Sequence, residues 1–519
     1  MSDRRGRIAL WLFAVFVAAV HLLAIFEVVR ANYSLIDDYR VFAISRIGAW
    51  PSFLLQMTAD PTAPGAWIYR PFPDAMSWMI SAAFREHPGG WHVVMIFVRL
   101  VSVGVAAVVA RRSASSRTAA CAAAAYFAFF PAIPEVNLIR VEIWLTLALA
   151  LAFLGWIRVM RGGTSLLFVT GFVLATLSKE AVAPILVAML VFAGGRVWRR
   201  SRFALVIASL ALLNQVVRFG LIFTDPYSHP SNASSLIQGA LWLGKILLLA
   251  TTNVPLVPLI LIAWIVLGFR ALLREPRSFA LGLTALLLIS VAMAAAAPYR
   301  AIRYLCPTAL FLVPLLALGV DETRHLIGDR MGEWMAIATM FCFAIFGGAQ
   351  LVAQAASKRA TTRADRVLLE TAARAMARGQ NIVILEDEDF ERSFWMRAEL
   401  VGVDPRWPFL SYVAQQYATH QPVVWPPPPG GPVNLTGLVR PGGRFLMNAG
   451  DGLLIPANPR HVPPYPVASL IDFREDDALY VPLWTFRNLA RRVNPKFRYV
   501  YDLGEVEWPG YSWPLLRRR

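Results

Sequence analysis

Two neighbouring carboxylates, Asp37 and Asp38, follow the first long apolar run of the chain. A carboxylate pair can take a proton from an attacking hydroxyl or hold a divalent cation. It can equally be a polar helix end meeting water, the usual placement of Asp. Further along, Tyr69, Arg70 and Pro71 precede an amphipathic stretch, 72–84. A guanidinium near lipid headgroups suits a phosphate, which it meets with charge-assisted and often paired hydrogen bonds. Snorkelling to a headgroup accounts for it as well. Glu135, Arg140 and Glu142 surround the start of the apolar run 141–158. Ionisable groups at membrane depth are costly, so such residues either form a site or pair with one another. Ser178, Lys179 and Glu180 separate two apolar runs with no loop to spare. Lysine occurs otherwise only as Lys245, Lys358 and Lys496. Lys179 either binds a phosphate or caps a tight helical turn. Arg300, Arg303 and Tyr304 form the last cluster, explained by an anionic ligand or by two snorkelling side chains.

These residues need a frame, and the composition says which kind. The chain has 519 residues, of which 57% are hydrophobic and 16% charged. A soluble domain has about 25% charged residues. Mean hydropathy is +0.52. The apolar residues fall in runs of roughly twenty, one bilayer crossing each. Such runs are too long for barrel strands, and in lipid the backbone must satisfy itself, so they are helices. Crossings are expected near 8–29, 91–110, 118–134, 141–158, 164–178, 181–196, 203–223, 254–270, 278–296, 304–320 and 334–353, about eleven in all. The first is too long for a typical signal core and lacks a clean cleavage site, so it reads as a retained helix. Residues 236–250 read as an interfacial or re-entrant helix, because a crossing there would bury Lys245 in mid-bilayer.

The net charge is +17, gathered in short loops between apolar runs. That pattern is one of membrane topology and gives no sign of a nucleic-acid partner. The basic loops 111–117, 158–161, 196–202, 270–277 and 324–330 fall on the side of the N-terminus, which is then cytoplasmic. The opposite side receives 30–90, 135–140, 224–253, 297–303 and everything after about 354. All the chemistry-bearing clusters therefore converge on the outer face. The expected organisation is an all-α polytopic membrane domain, 1–353, whose first outer loop (30–90) carries amphipathic helices. An outer C-terminal domain, 354–519, follows. It reads as mixed α/β, with a helix at 363–378 and a strand at 381–385.

Cys121, Cys306 and Cys342 each lie in an apolar run, which leaves no disulfide framework and no zinc spacing. There is no phosphate-binding GxxxxGK[ST] loop, no GxGxxG after a strand and no HExxH. Nothing implies a nucleotide cofactor. A divalent cation is the one inorganic partner the carboxylates would suit, and the residues leave its presence open.

The order of motifs resembles the GT-C superfamily of membrane glycosyltransferases. It runs I-D-D-Y-R (36–40), Y-R-P-F (69–72), W-H-V-V (91–94), P-A-I-P-E-V-N-L-I-R-V-E (131–142), S-K-E (178–180) and R-Y-L-C-P (303–307). It is most similar to the protein O-mannosyltransferase and aminoarabinose-transferase group. It is also similar to the transmembrane O-mannosyltransferases that carry tetratricopeptide repeats, which this tail lacks. The resemblance covers roughly 1–320 and implies a polyprenyl-phosphate sugar as donor, entering from the outer leaflet. It implies Asp37 as general base for an acceptor hydroxyl, with Asp38 assisting. Arg70 would hold the donor phosphate, with Lys179 and Arg303 as further phosphate ligands. Arg140 and Glu142 would organise the site, with Tyr69, Glu180 and Tyr304 around them. The acceptor (glycan, lipid or protein) is open. Two alternatives are a transporter or flippase for lipid-linked sugars, and a polysaccharide polymerase or ligase using pyrophosphate-linked donors. The first would call for pseudo-symmetric halves and interrupted helices meeting at the midplane. Here the charges gather at one face and no repeat is visible.

Overall fold

The computed structural model describes residues 2–31, 70–84, 87–130, 141–224, 256–296 and 305–349, together with a few short stretches after these. Over its described residues, every apolar run read from the sequence is helical. The helices are α1 (Ser2–Val28), α2 (Pro71–Phe84), α3 (Pro88–Ser113), α4 (Arg117–Ala128), α5 (Val141–Met160) and α6 (Leu166–Thr176). They continue as α7 (Ala183–Arg200), α8 (Arg202–Thr224), α9 (Leu256–Leu272), α10 (Arg277–Ala296), α11 (Cys306–Ile327) and α12 (Asp329–Cys342). Among the described residues, α1, α3, α5, α10 and α11 contain 5 spans long and apolar enough to cross a membrane. The chain is a multi-pass membrane protein. The expected helices at 236–250 and 363–378 lie outside the described residues.

The chain divides into two compact units. The first comprises Met1–Ile25, Ile47–Arg85 and Val93–Val352. Its axis is α11, which is buried along nearly its whole length. In lipid the hydrophobic effect does not drive helices together, so close packing must. Glycines supply it. Gly268 of α9 lies against the Leu315 carbonyl of α11, and Gly319 of α11 against the Trp264 carbonyl of α9. Gly155 of α5 and Gly171 of α6 meet the backbone of the facing helix in the same reciprocal way. At all four positions even a methyl group would collide with backbone. The short helix α4 is Ala-rich and buried from Thr118 to Ala128, so small side chains let it lie inside the bundle. Ser116 caps it, accepting from the amides of Thr118 (3.1 Å) and Ala119 (3.5 Å).

α11 runs beyond the apolar run 304–320 to Ile327, and α12 starts at Asp329 rather than near 334. Charged residues at 321–333 pair with one another there, so both helices continue past the point where hydrophobicity stops. Gly328, with φ +89°, makes the turn between them. α12 passes into a π-helical turn, Phe343–Gly347, whose Gly347 approaches the Phe129 carbonyl just past α4.

The second unit comprises Phe26–Arg46, Glu86–His92 and Ala353–Arg519. Arg359 pairs with Glu27 in it at 3.4 Å. It holds a mixed four-stranded sheet of order β2-β1-β4-β3, from β1 (Asn381–Leu385), β2 (Val423–Trp425), β3 (Met447–Asn448) and β4 (Gly452–Pro456). β1 pairs antiparallel with β2 and parallel with β4. A hairpin of β5 (Glu507–Trp508) and β6 (Tyr511–Ser512) completes the described strands. The strand expected at 381–385 is β1.

Candidate functional site

The site is built where α2 docks on the ends of α5 and α6. A helix start leaves amide groups without partners, and a helix end leaves carbonyls. Here the two deficits meet: the Phe72 amide in the first turn of α2 donates to the Leu177 carbonyl, just past α6, at 3.1 Å. Within α2, the Asp74 amide donates to the Arg70 carbonyl at 3.1 Å. The Phe72 ring packs edge-on against Trp144 of α5, with centroids 5.8 Å apart. Arg70, half-buried, is thereby held at the head of a helix fixed to the α6 turn.

Two residues beyond Leu177, Lys179 donates from Nζ to Oε1 of Glu142 at 2.7 Å. Their side chains are 11% and 19% exposed, so water screens the pair little. Glu142 stands in the first turn of α5 and Lys179 just past α6. A carboxylate at a helix start and an ammonium after a helix end each favour the local dipole. The pair therefore joins two antiparallel helices through their complementary ends. Ser178 closes the turn by donating to the Leu174 carbonyl at 2.6 Å.

Of the residues singled out in the sequence, the fold pairs Glu142 with Lys179, and the Phe72–Leu177 backbone bond brings the start of α2, which Arg70 precedes, to the same turn. The backbone of Glu180 opens a 3-10 turn, Glu180–Val182, directly after Lys179. Asp37, Asp38, Tyr69, Glu135, Arg140, Arg303 and Tyr304 lie outside the described residues. Among the described residues, no group of three or more His, Cys, Asp or Glu is arranged to hold a metal ion.

Two groups of charged residues were passed over in the sequence. Arg99, 3% exposed in α3, donates to the Ala128 carbonyl at the end of α4. A cation on terminal helix carbonyls is the favourable arrangement. The signal was available: Arg99 interrupts the apolar run 91–110, where a charge calls for a reason. The second group lies at the other end of the bundle. Arg324 donates to Asp321 (3.2 Å), Asp329 (3.0 Å) and Glu333 (3.3 Å). Asp321 Oδ2 in turn accepts from the Ser115 hydroxyl at 2.8 Å and from the amides of Ser115 and Ser116. Glu322 takes both arms of Arg274, at 2.8 and 3.0 Å. The i, i+3 spacing of Asp321 and Arg324 marked this group, hidden in a loop read only for its positive charge.

No protein-family model matches the chain, and no curated protein sequence matches it. Solved structures do. The apo structure of ArnT from Cupriavidus metallidurans superposes with a TM-score of 0.50, covering 75% of this chain and 84% of that one. The chain has an ArnT-like fold. The likeness is one of architecture, with 14% of residues identical. A second structure of ArnT from Cupriavidus metallidurans, bound to undecaprenyl phosphate, aligns at a TM-score of 0.41 and 14% identity, covering 76% of each chain.

Proposed function

We propose that this protein is a membrane glycosyltransferase that moves a sugar from a polyprenyl-phosphate donor to an acceptor hydroxyl on the outer face of the inner membrane. The observation that carries the reading is the juncture of α2 with the α6 turn. It holds Arg70, two residues before Phe72, and the ion-paired Lys179, two residues after Leu177, at one end of an ArnT-like bundle. Two cations near one headgroup level suit a lipid-linked phosphate. The carboxylates Asp37 and Asp38 belong to the loop that leads from α1 to Arg70.

In the reaction, the acceptor oxygen attacks the anomeric carbon as Asp37 takes its proton. The bond from that carbon to the phosphate oxygen breaks, and its electron pair leaves with the polyprenyl phosphate. A single displacement of this kind inverts the anomeric centre. Arg70 and Arg303 neutralise the charge developing on the leaving phosphate, which is where electrostatic catalysis acts most strongly. Lys179, oriented by Glu142, adds a third positive group. Asp38 orients the acceptor, and Arg140, Tyr69, Glu180 and Tyr304 shape the surroundings. The N-terminus then faces the cytoplasm, and residues 354–519 form an outer domain available to the acceptor.

The test uses purified protein in lipid with a panel of radiolabelled polyprenyl-monophosphate sugars, native chain against Asp37→Asn. Sugar passes to water or to an added acceptor in the native chain, and the variant is slower by about 10²–10⁴-fold. Turnover only with pyrophosphate-linked donors would reassign the donor class. Passage of labelled carrier across the bilayer without product would make the protein a flippase. A chelator arm shows whether the carboxylates act through a divalent cation.

A further inference from the structure

The helix ends opposite the Lys179–Glu142 pair carry an arrangement that sugar transfer does not use. The turn between α5 and α6 and the junction between α7 and α8 are neighbours, because Arg200 donates to the Gly162 carbonyl. α10 begins beside them, with Arg196 donating to the Ser278 hydroxyl at 2.9 Å. Residues 158–163 hold two arginines and 195–202 hold four, with no acid in either stretch. Arg161, Arg199, Arg200, Arg202 and Arg277 are all exposed. The nearest described carboxylate partner is Glu275, 3.4 Å from Arg161.

Two features go beyond a topological excess of positive charge. Arg202 is the first residue of α8 and Arg277 the first of α10. A cation at a helix start opposes the helix dipole. Ser201 already takes the Ala204 amide at the start of α8, at 3.1 Å, so an anion seated there would be held chiefly by the guanidinium. Trp198 and Phe203, next to Arg199 and Arg202 in sequence, and Leu166, the first residue of α6, are 46%, 75% and 76% exposed. Arg202 stacks over the Trp198 ring, 5.1 Å from its centroid. Cations and exposed apolar side chains thus alternate over a short distance, matching a molecule with a phosphate head and hydrocarbon tails.

We propose that this face is a headgroup site for an anionic phospholipid of the inner leaflet. The phosphate is taken by the arginines of the α7–α8 junction and the start of α10, and the acyl chains lie along Trp198, Phe203 and Leu166. Basic clusters between membrane helices on the cytoplasmic side are suited to such headgroups.

The experiment is native mass spectrometry of the full chain in neutral detergent, with phosphatidylglycerol or phosphatidylcholine added. Phosphatidylglycerol is retained preferentially, and Arg202→Gln or Arg277→Gln lowers its apparent affinity about five-fold each. Arg202→Lys, which keeps the charge, retains most of it and guards against a folding artefact. Arg330→Gln removes an exposed charge at the start of α12 and leaves retention unchanged. Equal retention of both lipids would overturn the site. So would equal losses in the Arg202 and Arg330 variants, since diffuse surface charge then suffices. Displacement of the lipid by ATP more readily than by further phosphatidylglycerol would overturn the lipid as occupant.

Discussion

At the end of α5 that carries Glu142, an ion pair to Lys179 joins two helix ends, and Arg70 stands at the head of a docked helix. At the other end, charges are bonded several times over. Arg324 meets three carboxylates, Asp321 gathers the Ser115–Ser116 turn, and Glu322 holds Arg274 with both oxygens. The residue types are the same, but the partners differ. A group engaged on every side by its own protein is an architectural joint. A group placed at the junction of helix ends, oriented by an ion pair, is suited to receive a ligand.

The contrast breaks first at Asp37, in the segment between α1 and α2. Asp37→Asn should reduce sugar transfer by about 10²–10⁴-fold, while size-exclusion behaviour and thermal midpoint stay those of the native chain. Arg324→Ala should do the reverse. It takes the guanidinium away from the buried Asp321 and Glu333, a loss of about 3–5 kcal/mol, read as a lowered unfolding midpoint with turnover per folded molecule retained. If Arg324→Ala removed turnover at native stability, the two ends would not be distinct. The Lys179–Glu142 pair lies between these extremes. Lys179→Met should cost about 1–3 kcal/mol by removing the ammonium that Glu142 holds at 2.7 Å. Adding Glu142→Gln should restore the stability but not the transfer rate. Recovery of both would make the pair architectural too. The smallest effect belongs to the cap of α4: Ser116→Ala should cost about 1 kcal/mol and leave transfer untouched.

The helices were legible because each apolar run is long and continuous, and Ser116 or Gly328 mark their ends in ordinary ways. Lys179 and Glu142 were each legible as chemistry. Their pairing was not, because the sequence set Lys179 beside Glu180, and only the turn after α6 directs it to a residue 37 positions earlier. The docking of α2 was hidden for a related reason. It rests on a backbone bond from Phe72 to Leu177, which side-chain types do not encode. The Arg324 network was obscured by its own sign: a segment rich in arginine was read for topology, and its acids were passed over. Arg99 was overlooked because it is one residue in a long apolar run, and its partner is a carbonyl.

The reciprocal glycines of the fold imply an order of assembly. α5 and α6 are consecutive, joined by a few residues, so their backbones can close on each other as soon as α6 leaves the ribosome. α9 and α11 are separated by the whole of α10. Gly268 and Gly319 can meet only after that helix has been made and inserted, while the chain is synthesised at about 5–20 residues per second. During that interval α9 waits in the bilayer with its glycine face uncovered. A nascent chain stalled just before α11 should therefore be the most vulnerable to membrane proteases.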